Sequence, residues 1–115
     1  MSDIIIWHNP RCTKSRQTLA LLQEKGFEPS ERHYLKDIPD TAELKMALSA
    51  LGLNAIDLIR KGEAVFKELG LSAETGEDAL IAAMAEHPKL IERPIVFYRG
   101  KARIGRPPES VLELF

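Results

Sequence analysis

The sequence predicts an α/β fold built as β-α-β, a helical insertion and then β-β-α, around a mixed four-stranded sheet. Three observations predict it. A strand–helix–strand pattern fills the first part of the chain, helix-period apolar repeats fill the middle, and a β-branched, aromatic hairpin followed by a proline-headed segment closes it.

The first strand covers Asp3 to Trp7 around the apolar run Ile4-Ile5-Ile6, and a helix begins near Cys12 or Thr13 and stops at Gly26. Phe27-Glu28-Pro29-Ser30 reads as a turn and Glu31 to Leu35 as a second strand, which a helical crossover makes parallel to the first. Asp40, with Glu43 three residues on, opens a helix whose Leu44, Ala47, Leu48 and Leu51 recur at helical spacing until Gly52. Asn54 and Asp57 suggest a short capped helix through Leu58-Ile59-Arg60, and a weaker turn covers Val65 to Leu69. Thr75 and Asp78 open a further helix with Leu80, Ile81, Ala83 and Met84 on its apolar face, ended by His87-Pro88. Ile95 to Tyr98 and Lys101 to Ile104 then flank Arg99-Gly100 as a hairpin. After the corner Gly105-Arg106-Pro107-Pro108, Glu109 to Phe115 reads as a short helix. This order is that of a thioredoxin-like fold with a helical insertion.

A chain of 115 residues allows one domain, expected over residues 1–115, with a core that needs no disulfide or metal staple. A net charge of −1 argues against a nucleic-acid partner. No apolar run is long enough for a bilayer, and the N-terminus lacks the pattern of a signal peptide, so no membrane partner is expected. The single cysteine excludes an internal disulfide and fits a cytoplasmic setting.

That cysteine lies in Trp7-His8-Asn9-Pro10-Arg11-Cys12-Thr13-Lys14-Ser15-Arg16, where a strand hands over to a helix. N–H groups in a first helical turn have no intrahelical partners, so they stabilise a thiolate or hold an oxyanion placed before them. Free cysteines are often buried filler, but polar and cationic neighbours (Arg11, Lys14, Arg16) surround Cys12 and no apolar periodicity includes it. Ser15 stands where a C-x-x-C pair has its second thiol, so an oxidised Cys12 requires an outside thiol. His8, four residues ahead, is open to two readings: an imidazolium that steadies a thiolate, or a structural histidine at a strand end. His8, His33 and His87 are scattered, and no metal site is expected. Arg60, Arg93 and Arg106 each sit at a punctuated point of the chain. They are either solvated surface charges or, together, a set of forks for a tetrahedral oxyanion.

The block His8 to Arg16 resembles the active-site signature of the glutathione- and glutaredoxin-dependent arsenate reductases. Asp57-Leu58-Ile59-Arg60, Leu90 to Val96 and Ile104 to Glu109 match that family's other blocks in order, so the resemblance spans nearly the whole chain. It implies that Cys12 is the nucleophile, that Arg60, Arg93 and Arg106 bind the oxyanion, that His8 favours the thiolate and that Ser15 helps hold it. Asn9 and Pro94 are expected as structural residues beside the site, with a cis Arg93-Pro94 bond just before the third strand. The implied reaction is reduction of arsenate, or a similar oxyanion, to arsenite through a cysteinyl-arsenate adduct. Glutathione is its co-substrate, glutaredoxin its partner, and no bound cofactor is implied. A monothiol glutaredoxin-like thiol–disulfide oxidoreductase, and a non-enzymatic relative acting by protein binding, are the alternatives. The latter typically carry a C-x-x-C switch that Ser15 removes here.

Overall fold

The computed structural model describes residues 3–115. They form two compact units: residues up to Asp37 together with Arg93–Phe115, and Ile38–Glu92.

The first unit holds strands β1 (Ile4–Trp7), β2 (Ser30–Arg32), β3 (Ile95–Tyr98) and β4 (Lys101–Ile104), with helix α1 (Thr13–Glu24) between the first two. The sheet order is β2-β1-β3-β4. β1 runs parallel to β2, with Ile5 opposite Ser30, while β1–β3 and β3–β4 are antiparallel. The fold is thioredoxin-like and the sheet mixed, as the element order implied. Side chains alternate across a strand, so Ile4 and Ile6 turn inward while Ile5 is exposed. Ile4 and Ile6 meet Leu22, Val96 and Val111 in a core that Leu19, Phe27, Tyr98 and Leu114 extend. α1 stops where Gly26 adopts φ 88, and the Phe27 N–H returns to the Leu22 carbonyl at 3.0 Å. The hairpin turn has left-handed φ at both Arg99 (49°) and Gly100 (81°), the geometry whose twist suits a two-residue connection.

Two expectations in this unit are corrected. The second strand ends at Arg32 instead of reaching Leu35, because the chain turns at His33, whose carbonyl accepts N–H groups from both Lys36 and Asp37. That turn carries Tyr34 into the interior, 1% exposed. The terminal segment, Pro108–Leu114, is a 3-10 helix and not an α-helix. Its opening prolines supply no donor, and i→i+3 bonds such as Ser110 N–H to Pro107 C=O form.

The second unit is helical: α2 (Thr41–Leu51), α3 (Ala55–Leu58), α4 (Ala64–Glu68), α5 (Glu77–Glu86) and a 3-10 turn at Pro88–Leu90. Asp40 and Glu43 form the expected capping box, Glu43 N–H donating to Asp40 Oδ1 at 2.8 Å and Asp40 N–H to Glu43 Oε1 at 3.2 Å. Helix α3 ends at Leu58, two residues before the expected Arg60, because Ile59 pairs antiparallel with Ile91. Arg60 N–H then donates to Leu90 C=O at 2.7 Å and Glu92 N–H to Leu58 C=O at 2.8 Å. Burial of Ile59 and Ile91 in that pair outweighs a further helical turn. Helix α5 starts at Glu77, not Thr75, whose hydroxyl instead accepts the Ser72 N–H at 2.9 Å in the preceding turn. Among the described residues no helix is long and apolar enough to cross a membrane.

Candidate active site

The loop between β1 and α1 is built by its own side chains. Asn9 C=O accepts the Cys12 N–H at 3.0 Å, while Asn9 Oδ1 accepts the Arg11 N–H at 3.0 Å. Asn followed by Pro is what such a turn favours, since Asn bonds the backbone two residues on and Pro presets φ. Arg16 reaches back from the first turn of α1 to donate to Pro10 C=O at 2.9 Å. These bonds deliver Cys12 to the N-cap of α1, in extended conformation and without a side-chain capping bond. Its side chain is left available for chemistry and the residue is 9% exposed. Among the described residues no group of three or more His, Cys, Asp or Glu could hold a metal.

His8 and Ser15 are both buried and meet each other, Nδ1 to Oγ at 2.7 Å. Asn9 N–H donates to the same hydroxyl at 3.0 Å. Ser15 is therefore bonded to His8 and to the loop backbone, and steadies the turn that presents Cys12. Burial lowers the His8 pKa from 6.5; the Glu31 carboxylate opposes this, and His33 and Arg16 reinforce it. The ring is neutral at neutral pH and its Nδ1 can accept the Ser15 O–H, whose oxygen in turn accepts the Asn9 N–H.

Well above pH 6.5 the ring is neutral folded or unfolded and contributes no pH dependence. As pH falls below 6.5 the unfolded chain takes up a proton that the folded one refuses, so stability declines until the folded pKa is passed. His8→Gln should remove this part of the acid destabilisation, at most about 1.4 kcal/mol per pH unit. Denaturant midpoints measured from pH 7.5 to 5 check it, and an unchanged slope in the variant would show that His8 is not the group responsible.

Arg106 reaches the sulfur, with Nη2 3.7 Å from Cys12 Sγ. Its Nε donates to the Arg93 carbonyl at 2.8 Å, so the backbone beside Pro94 anchors it. The Arg93-Pro94 bond is cis, as expected, and Arg106-Pro107 is cis as well. Arg60 lies in the helical unit, where its guanidinium pairs with Glu63 at 2.6 Å and Glu92 at 3.7 Å. The arrangement gives the lone cysteine a helix N-terminus and a guanidinium donor, the surroundings a thiolate nucleophile needs.

Two residues that shape this site were not singled out by the sequence: Thr18, fully buried on α1, and Gly105, immediately before Arg106. The signal for Thr18 was its spacing. Ser15, Thr18 and Leu22 form one inward stripe of α1 that continues the apolar face into polar residues.

A sequence model of the ArsC family matches residues 7–114. YfgD of Escherichia coli K12, described as uncharacterized, is 55% identical over 114 residues, covering 97% of this chain and 96% of that protein. An arsenate reductase of Neisseria meningitidis serogroup A is 47% identical over 113 residues, covering 96% of this chain and 97% of the relative. Among solved structures, an arsenate reductase from Vibrio cholerae matches with a TM-score of 0.94 and 53% identity over 97% of both chains. Fold and site together define a thioredoxin-like protein with a single cysteine poised at a helix start. The chain belongs to the ArsC family.

Proposed function

We propose that this protein reduces arsenate to arsenite, with Cys12 as nucleophile and with glutathione and glutaredoxin supplying the electrons. The observation that carries the reading is the 3.7 Å approach of Arg106 Nη2 to the sulfur of the chain's one cysteine, at the N-cap of α1. The thiolate attacks arsenic, water or hydroxide departs, and a cysteinyl-arsenate adduct remains. Arg106 and the first-turn N–H groups hold the arsenate oxygens, with Arg93 as a second ligand. Arg60 is assigned as the third from its place in the family pattern. Glutathione attacks the adduct, two electrons pass from sulfur to arsenic, and glutaredoxin completes the thiol exchange. Arsenate and two thiols thus become arsenite, one disulfide and one water. His8 acts on this chemistry through Ser15 and the turn, as a neutral ring, and no bound cofactor is required. A reducing cytoplasm, rich in glutathione, is the compartment that suits such a reaction.

The test is arsenite release from purified protein given arsenate, glutathione and a glutaredoxin. Turnover that needs both thiols supports the proposal. Absence of arsenite, together with reduction of a glutathione mixed disulfide, would instead make the protein a monothiol oxidoreductase.

A further inference from the structure

We propose that Gly105 and Thr18 are positioning residues for Arg106. The absent Cβ of Gly105 lets the end of β4 seat on the Thr18 side chain, and that seat sets the guanidinium against the Cys12 sulfur. The inference rests on the reading of Arg106 as an oxyanion ligand.

The geometry at Gly105 is steric. A Cβ built there would collide with Thr18 Oγ1 and lie 2.8 Å from Pro94 Cγ and 3.2 Å from Thr18 Cγ2. The backbone conformation is not the reason for glycine, because Gly105 is absent from the positive-φ glycines. Close approach is the reason. Thr18 cannot turn away easily. It is fully buried, and its hydroxyl donates to the Lys14 carbonyl at 2.8 Å, which fixes its rotamer against the helix. Gly105 N–H also donates to Pro94 C=O at 2.9 Å. Gly105 is therefore clasped between α1 and the start of β3.

Arg106 follows directly. Its N–H donates to Ile104 C=O at 3.0 Å, which fixes the backbone after the Gly105 seat, and its Nε donates to Arg93 C=O at 2.8 Å, which fixes the guanidinium. Nη2 then stands 3.7 Å from Sγ, at the outer reach of a bond to sulfur. A displacement of about 1 Å would break that contact, and misplacements of this size commonly cost large factors in rate. Arg106 itself is surface-exposed and cannot depend on burial for its position. Thr18 and Gly105 supply the rigid support beneath it.

The experiment measures how much inorganic sulfate half-protects Cys12 from iodoacetamide at pH 7, with folding checked by circular dichroism. Arg106→Gln should raise the half-protecting concentration at least about tenfold. Gly105→Ala should raise it about three- to tenfold, Thr18→Ala alone, which removes the seat, should raise it less, and Thr18→Ala in the Gly105→Ala chain should recover part of the loss, since the new methyl no longer strikes Thr18 but still approaches Pro94 Cγ. In the Arg106→Gln background, Gly105→Ala should add less than about twofold, because a residue acting through Arg106 has nothing left to position. That last result separates positioning from general damage. If the two losses multiply, or if Gly105→Ala leaves protection unchanged while Arg106→Gln abolishes it, the inference is overturned and the ligand reading stands. If Arg106→Gln itself changes nothing, the ligand reading falls first and takes the inference with it. Should Gly105→Ala fail to fold, the Thr18→Ala/Gly105→Ala chain, compared with Thr18→Ala in both Arg106 backgrounds, carries the same test.

Discussion

Cys12→Ser should lower the rate of arsenite formation by at least about 10³-fold, since loss of a covalent nucleophile removes the step on which the rest of the pathway depends. A serine hydroxyl does not ionise at neutral pH and cannot give electrons to arsenic, and the sequence offers no other cysteine to stand in. The fold should not suffer. Cys12 is the N-cap of α1 and makes no capping bond through its side chain, whereas serine is a preferred N-cap and can bond a first-turn N–H. The variant is therefore expected to be as stable as the parent or up to about 1 kcal/mol more so. Arsenite release and a denaturation curve on the same preparation check both halves. Activity within tenfold of the parent would show that the chemistry runs elsewhere.

Arg106→Gln should cost about 10²–10³-fold in kcat/KM for arsenate, the range seen when one preorganised donor to a developing charge is removed. Glutamine retains a neutral donor but not the charge, nor the fork that spans Arg93 C=O at 2.8 Å and Cys12 Sγ at 3.7 Å. Arg106→Lys should fall between parent and Gln, because an ammonium keeps the charge but cannot reproduce that fixed fork. Since the arginine is surface-exposed, stability should change by no more than about 0.5 kcal/mol. Steady-state kinetics against arsenate, with glutathione and glutaredoxin saturating, would measure the loss. An Arg106→Gln chain with parental kcat/KM would remove Arg106 from the oxyanion site.

Local signals made much of this molecule legible in its sequence. The Asp40–Glu43 capping box, the stops at Gly26 and Gly52 and the Arg99-Gly100 turn are each written within a few neighbouring residues, and each forms as read. Cys12 at a strand-to-helix hinge was legible for the same reason. What failed was non-local. The end of α3 is decided by Ile59 finding Ile91, and neither residue announces the other. Ser15, bonded to His8 and Asn9, and Thr18, bonded to the Lys14 carbonyl, are fully buried polar residues of α1, a burial that their polar side chains do not announce. The charge state of His8 was open in the sequence, since burial decides it. Nothing local announced that the Arg106 side chain meets the sulfur.

The order β2-β1-β3-β4 leaves β2 and β4 as the two outer strands of the sheet. An outer strand presents unpaired backbone groups on which another chain can add, the usual start of edge-to-edge aggregation. Here β2 is only three residues long and carries Glu31 and Arg32, while β4 alternates Lys101 and Arg103 with the buried Ala102. Arg103 is held in place by Glu113 at 3.3 Å. A second molecule adding along β4 would bring its own Lys101 and Arg103 against those already there, like charge against like. The sheet that positions the cysteine loop is in this way guarded at its margins against edge-to-edge pairing.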